Sequence, residues 1–237
     1  MFANIAGRYD LANDVLSGGI HRLWRKRLLR ELPNGNSLRI LDLCTGTGDL
    51  AFELERAAGP DGRVLALDFV HEMLVQAVRK RARRGSRVLF FQGDALFIPL
   101  CNSSVDVATV SFGIRNVDDV PACLREIRRV LGPSGTLIVL EFGQVRWPVF
   151  RGLYDWYGKH VMPLLGKLLT GNRSAYEYLP KTALRFPAGD EFLRLMEREG
   201  YESVRAVSLL GGLAYIYRGI SSSSKGERTI PPMHASA

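Results

Sequence analysis

A chain of 237 residues, 46% apolar and 24% charged, has the makeup of one globular domain, which excludes a low-complexity or disordered protein. It holds no run of about 18 apolar residues and no apolar signal core near its start, so no spanning helix is expected and the cytoplasm is the expected compartment. The formal charge of +8 suits nucleic acid or an anionic membrane surface, but the excess is spread over 22–30, 79–87 and 125–129. On helices such runs are solvated faces. A nucleic-acid-binding module would gather them with aromatics in one place, so no nucleic-acid partner is expected.

Residues 1–32 mix aromatics with charges and read as an N-terminal helical lid, with apolar side chains at helical spacing over 23–32. Pro33-Asn34-Gly35-Asn36 breaks that helix. Residues 38–43 predict a first buried strand, 50–58 a helix, 63–67 a second strand ending at Asp68, and 70–83 a helix with a basic outer face. Strands follow at 88–92 and 105–111, then a helix over 117–131, a sharp turn at Gly132-Pro133-Ser134-Gly135, and a fifth strand over 136–141. Strands alternating with helices at this spacing imply right-handed βαβ units and a parallel sheet covered on both faces.

Beyond Phe142 the pattern changes. Residues 144–187 are aromatic and read as a helical insertion; 190–199 is a helix closed by Gly200. Residues 203–209 and 214–218 read as an antiparallel pair finishing one sheet edge. The Ser- and Pro-rich tail, 221–237, is expected to be disordered, leaving a single domain over 1–220. Cys44, Cys101 and Cys123 are odd in number and lack CxxC spacing, which argues for a reducing compartment and against disulfides or a metal site.

Gly46, Gly48 and Ala51 satisfy G-x-G-x-x-G/A, and acidic Asp68 lies 20 residues past Gly48 at a strand end, where a carboxylate accepts from ribose hydroxyls. That pair points to an adenosine-containing ligand, and the spacing by itself permits an NAD-binding oxidoreductase. Asp42, inside the first strand, would repel a pyrophosphate and attract a sulfonium or ammonium group. Asp94-Ala95, after the third strand, offers an oxygen to an adenine amino group. The set Asp42, Asp68 and Asp94 therefore suits S-adenosylmethionine better than NAD.

Taken together, Phe2–Asp10, Ser17 through Trp24-Arg25, Leu41–Ala51, Gly93-Asp94-Ala95 with Pro99, Ser111–Val117, Arg129–Pro133, Leu140-Glu141-Phe142, Tyr176–Leu179 and Gly211-Gly212 resemble the quinone-biosynthesis C-methyltransferases. The resemblance covers residues 2–219. The Phe-Gly-Ile-Arg-Asn segment, the Arg-Tyr-Asp opening and the late Tyr-x-Tyr-Leu carry most of its specificity. It implies a class I methyltransferase fold, Rossmann-like, with a mostly parallel seven-stranded sheet and antiparallel final strands. It also implies S-adenosylmethionine contacts at Thr47, Asp68, Asp94, Ala95 and Ser111, with the backbone of Gly46 and Gly48 lining the methionine end. The chain departs from the family's pattern at Val70, where a small polar helix cap is usual, at 101–105, and at Gly143-Gln144.

The implied reaction is C-methylation of a lipid quinol, demethylmenaquinol first, with a ubiquinone-pathway benzoquinol or both as the alternative. A ring carbon becomes nucleophilic once a hydroxyl of the same ring is deprotonated, so positioning and desolvation dominate the catalysis. Arg115 is the candidate for stabilising the quinol oxyanion and Asn116 for holding the ring; alternatively the two pin the strand-to-helix turn. Tyr9, Asp10 and His21 read either as a lid or quinone pocket or as ordinary helix packing. The basic helices fit transient contact with the inner face of the cell membrane. A homodimer is compatible with the sequence.

Overall fold

The computed structural model describes Asp14 and residues 17–143 and 186–222. The expected tail beyond Ser222, nearly all of the aromatic insertion, and Tyr9 and Asp10 lie outside those residues. Seven strands form one sheet in the order β3-β2-β1-β4-β5-β7-β6. They are β1 (Arg39–Leu43), β2 (Arg63–Asp68), β3 (Leu89–Gln92), β4 (Val105–Ser111), β5 (Leu131–Phe142), β6 (Tyr201–Leu209) and β7 (Ala214–Ser221). β3, β2, β1, β4 and β5 are mutually parallel, while β7 runs antiparallel to both β5 and β6. The order reverses between β1 and β4, so ligands belong at the carboxyl ends of those strands.

Five described helices cover the sheet: α1 (Ile20–Leu29), α2 (Asp49–Ala57), α3 (His71–Arg84), α4 (Val120–Val130) and α5 (Asp190–Arg198). On one face Trp24 and Leu28 of α1 and Leu50, Ala51, Phe52 and Leu54 of α2 pack over Ile40, Val107, Ile138 and Ile216. On the other, Leu124 and Ile127 of α4 and Phe192 and Met196 of α5 pack over Leu41, Leu43, Ala108 and Val139. Each buried Leu, Ile or Phe contributes about 1.5–3 kcal/mol. Strands β1, β4 and β5 are buried on both faces, which is why they read as near-continuous apolar runs.

Several boundaries moved from the sequence expectation. α1 stops at Leu29 rather than 32, because the residue before Pro33 is pushed out of helical backbone. α4 begins at Val120, three residues late. Asp119 caps it by accepting from Ala122 N at 2.8 Å, Pro121 sits in its first turn, and Ile114–Asn116 forms a separate 3₁₀ turn. The turn at 132–135 is a bulge inside β5: the register passes from Val105–Leu131 to Val107–Thr136 across it. β7 extends through Ser221, which pairs with Tyr201, so the sheet claims the first residue assigned to the tail.

Glu31, just past α1, is buried and joins distant parts of the chain. Its carboxylate pairs with Arg27 at 2.6 Å and with Arg205 of β6, and its carbonyl accepts from Arg218 of β7 at 3.2 Å.

Candidate active site

The ends of β1, β2, β3 and β4 bring the predicted residues to one edge of the sheet. Gly46 and Gly48 both have positive φ, 57° and 83°. A Cβ on Gly48 would lie 2.7 Å from the Phe90 ring and 3.3 Å from Ala77, whereas one on Gly46 would meet nothing within 4 Å. Gly48 is therefore required by packing and Gly46 leaves open approach to the backbone. Asp68 accepts from Gly46 N at 2.6 Å and Val70 N at 2.8 Å, so the β2 carboxylate holds the glycine loop and the start of α3 together. Val70 gives α3 no side-chain cap, as its departure from the family pattern implies, and Asp68 supplies the acceptor there. Burial raises the Asp68 pKa, and those amides pull it back.

Asp42 is 1% exposed, and both its oxygens accept hydroxyl donors at 2.6 Å, from Thr45 and from Thr109 of β4. Those two hydroxyls fix the carboxylate within β1, leaving each oxygen a second lone pair. Burial pushes its pKa up to about 6, against both donors and with the Asp68 charge adding to the rise. Thr47 accepts from Lys80 Nζ at 2.9 Å; the same ammonium pairs with Asp49 at 2.8 Å, and Arg25 of α1 approaches Asp49 at 3.6 Å and Glu53 at 3.7 Å. Burial acts against the Asp49 carboxylate, but Lys80 and Arg25 hold its pKa below the usual value. Asp94 accepts from Leu96 N at 2.8 Å, which forms the tight turn carrying buried Ala95. Ser111 ends β4.

Arg115 and Asn116 sit in the 3₁₀ turn just beyond β4. The Arg115 side chain is 4% exposed, is ion-paired with fully buried Glu141 of β5, and donates to the Phe112 carbonyl at 3.0 Å. Its guanidinium lies 5.1 Å from the Phe142 ring centre, in cation–π range. Trp24 of α1 stands 6.0 Å from Phe112 and 6.3 Å from Phe142. Burial raises the Glu141 pKa despite Arg115 beside it. Arg115 Nε and Asn116 Oδ1 are buried with no hydrogen-bond partner among the described residues. Arg115 thus makes the turn-pinning contacts weighed from the sequence, and its Nε stays uncommitted.

Sequence reasoning missed Thr109, Lys80 and Glu141. Thr109 had no signal inside an apolar strand. Lys80 was one of many cations on a basic helix. Glu141 did have one, because a carboxylate at the end of an otherwise apolar central strand must find a buried partner.

The ubiE/COQ5 methyltransferase family model matches residues 1–221. The chain belongs to this family. It is 44% identical over 220 residues to the ubiquinone/menaquinone biosynthesis C-methyltransferase UbiE of Bdellovibrio bacteriovorus, covering 92% of this chain and 93% of that one. The demethylmenaquinone methyltransferase of Staphylococcus aureus (strain JH9) is 38% identical over 219 residues, covering 92% and 90%. Among solved structures, a possible histamine N-methyltransferase of Thermotoga maritima superposes with a TM-score of 0.65 at 22% identity, over 93% of this chain and 98% of that one. That last likeness speaks for the class I methyltransferase fold. Family membership makes the protein a methyltransferase, and the oxidoreductase reading that the loop spacing allowed falls with it.

Proposed function

We propose that this protein transfers a methyl group from S-adenosylmethionine to a ring carbon of a lipid quinol in quinone biosynthesis, with demethylmenaquinol as the first acceptor. A UbiE name covering both pathways and a demethylmenaquinone methyltransferase stand together among its relatives, so a ubiquinone-pathway benzoquinol is the second acceptor to test. The residues suit the donor. Gly46 leaves room for backbone contact, Asp68 retains lone pairs for a ribose diol, and the Asp94–Ala95 turn offers an adenine edge contact. Thr47 and Ser111 complete that side. When bound, the donor supplies an electrophilic methyl group.

The observation that carries the acceptor reading is the pair of buried, unpartnered atoms Arg115 Nε and Asn116 Oδ1 on one turn beside the donor edge. Buried polar atoms without partners are rare and costly, and a ring hydroxyl would satisfy both the donor and the acceptor. Arg115 then stabilises the ring oxyanion and Asn116 fixes the ring, while Phe112, Phe142 and Trp24 keep water away. Arginine is not the base, because its pKa exceeds about 12.

The same edge carries exposed Phe69 after β2, Phe97 after β3 and Leu210 between β6 and β7. These apolar tips support docking on a membrane that dissolves the prenyl tail. No helix among the described residues is long and apolar enough to cross one. The deciding experiment incubates purified protein with labelled methyl donor and each quinol and weighs the product. A mass gain of one methyl on demethylmenaquinol is expected; labelling of neither quinol sinks the assignment. Anionic vesicles should sediment the wild type and release Phe97→Ser.

A further inference from the structure

The N-terminal end of α1 carries a group of titratable side chains that neither the cofactor site nor the Arg115 turn uses. Ser17 Oγ lies 2.6 Å from His21 Nδ1, and His21 Nε2 lies 3.4 Å from Asp14 Oδ1. With hydrogen on Nε2, His21 donates toward Asp14 and accepts the Ser17 hydroxyl proton, the order of a carboxylate–imidazole–hydroxyl relay. Asp14 is itself ion-paired with Arg22.

The helix places this relay at the reactive edge. Arg25, one turn on from His21 and on the same face, reaches Asp49 and Glu53 at the head of α2, directly after the glycine loop. Trp24 leans on Phe112 and Phe142, the rings around Arg115. α1 therefore touches both the glycine loop's helix and the rings beside the Arg115 turn, and His21 lies one turn before these contacts, at the N-terminal end of α1. His21 is half-buried and faces Asp14, Arg22 and Arg25 from its own segment and Asp49 from α2. Burial and then Arg25 lower its pKa, with the two carboxylates opposing, so the ring is neutral and ready to accept a proton at neutral pH.

We infer that His21 is the general base of the methyl transfer, taking the quinol hydroxyl proton through Ser17 while Asp14 orients the imidazole. The inference rests on the quinol reading above. The quinol O–H bond breaks, its proton passing to Ser17 Oγ as the Ser17 proton passes to His21 Nδ1. The electron pair left on oxygen flows to the ring carbon, which bonds to the methyl carbon as the donor's C–S bond breaks with its pair staying on sulfur. Water then takes the ring proton, and His21 returns the borrowed proton to the ring oxygen. The sum is methylated quinol, neutral thioether and one proton released. Arg115 stabilises the oxyanion in between and carries no proton.

The test uses the full-length protein with a short-chain demethylmenaquinol kept anaerobic. His21→Ala should lose about 100-fold or more in kcat. Its S-adenosylmethionine Kd should stay within about twofold by calorimetry, and added imidazole should restore part of the rate as imidazole deprotonates. His21→Gln, which keeps the side chain's bulk and polarity but cannot carry the proton, should lose as much and lose the acid limb of the pH–rate profile. Turnover within threefold of wild type in either variant overturns the inference. So does a loss that imidazole does not rescue, accompanied by an unchanged pH profile. A wild type that methylates no quinol overturns the substrate reading and this inference with it, whereas an active wild type with equally active variants overturns this inference alone.

Discussion

The glycine loop after β1 and the turn after β4 lie at the same edge of one sheet, yet they are finished to different degrees. In the loop both oxygens of Asp42 and of Asp68 have donors, and Thr47 and Asp49 share Lys80. In the turn a buried arginine and asparagine each retain an atom without a partner. The contrast lies between the loop's carboxylates, each satisfied by donors from the chain itself, and the turn's polar heads, which are not; Arg25 Nε and Glu53 Oε2 over the head of α2 share the second condition. A preorganised loop holds a common cofactor with little rearrangement. On the function proposed above, the unsatisfied groups beside it would select for a ring hydroxyl, because a ligand lacking it leaves them buried and unpaired.

The strongest way to break this comparison is at the Arg115–Glu141 pair. Glu141→Leu strands the guanidinium, so urea unfolding should show a loss of about 3–5 kcal/mol. Arg115→Leu with Glu141→Leu should recover most of that stability and none of the methyl transfer. A double variant as unstable as the single one would mean the pair is not an electrostatic unit.

Asp42 tests the loop side. Its folded pKa, pushed up to about 6, lies above the ordinary value of 3.8, so the folded state holds its proton more tightly than the unfolded chain does. That contribution to stability is present below pH 4 and is lost as pH rises through about 6. Over that window the wild type should lose about 3 kcal/mol more stability than Asp42→Asn. Parallel pH curves for the two proteins would refute the shift.

Smaller effects sharpen the picture. Asp68→Ala should weaken S-adenosylmethionine binding about tenfold or more, roughly 1.4 kcal/mol, since it removes both the ribose acceptor and the tie to Gly46. Unchanged calorimetric affinity would remove Asp68 from the donor site. Thr109→Val should cost about 1 kcal/mol by taking one donor from Asp42, with little change in cofactor affinity. A variant as stable as wild type would leave Thr45 as the sole donor that matters.

Legibility in the sequence followed the same divide. Apolar runs separated by glycine turns set out the order of strands and helices, because the central strands β1, β4 and β5 are buried on both faces. Asp68 and the glycines could be found because their spacing is a local signal. The tie from Thr109 to Asp42 and the pairing of Glu141 with Arg115 could not, since each joins residues far apart in sequence through the sheet register. The β5 bulge escaped for a related reason. Its four turn residues are those of a free loop, and only the pairing with β4 keeps them within the strand.

Glu31 adds a constraint on order in time. The groups that fasten the end of α1, Arg205 and Arg218, belong to the last two strands of the domain. On the ribosome the first described helix is made early but must wait for almost the whole chain before its anchor exists. The end of α1 thus gains its Arg205 and Arg218 contacts only when the final hairpin joins the sheet.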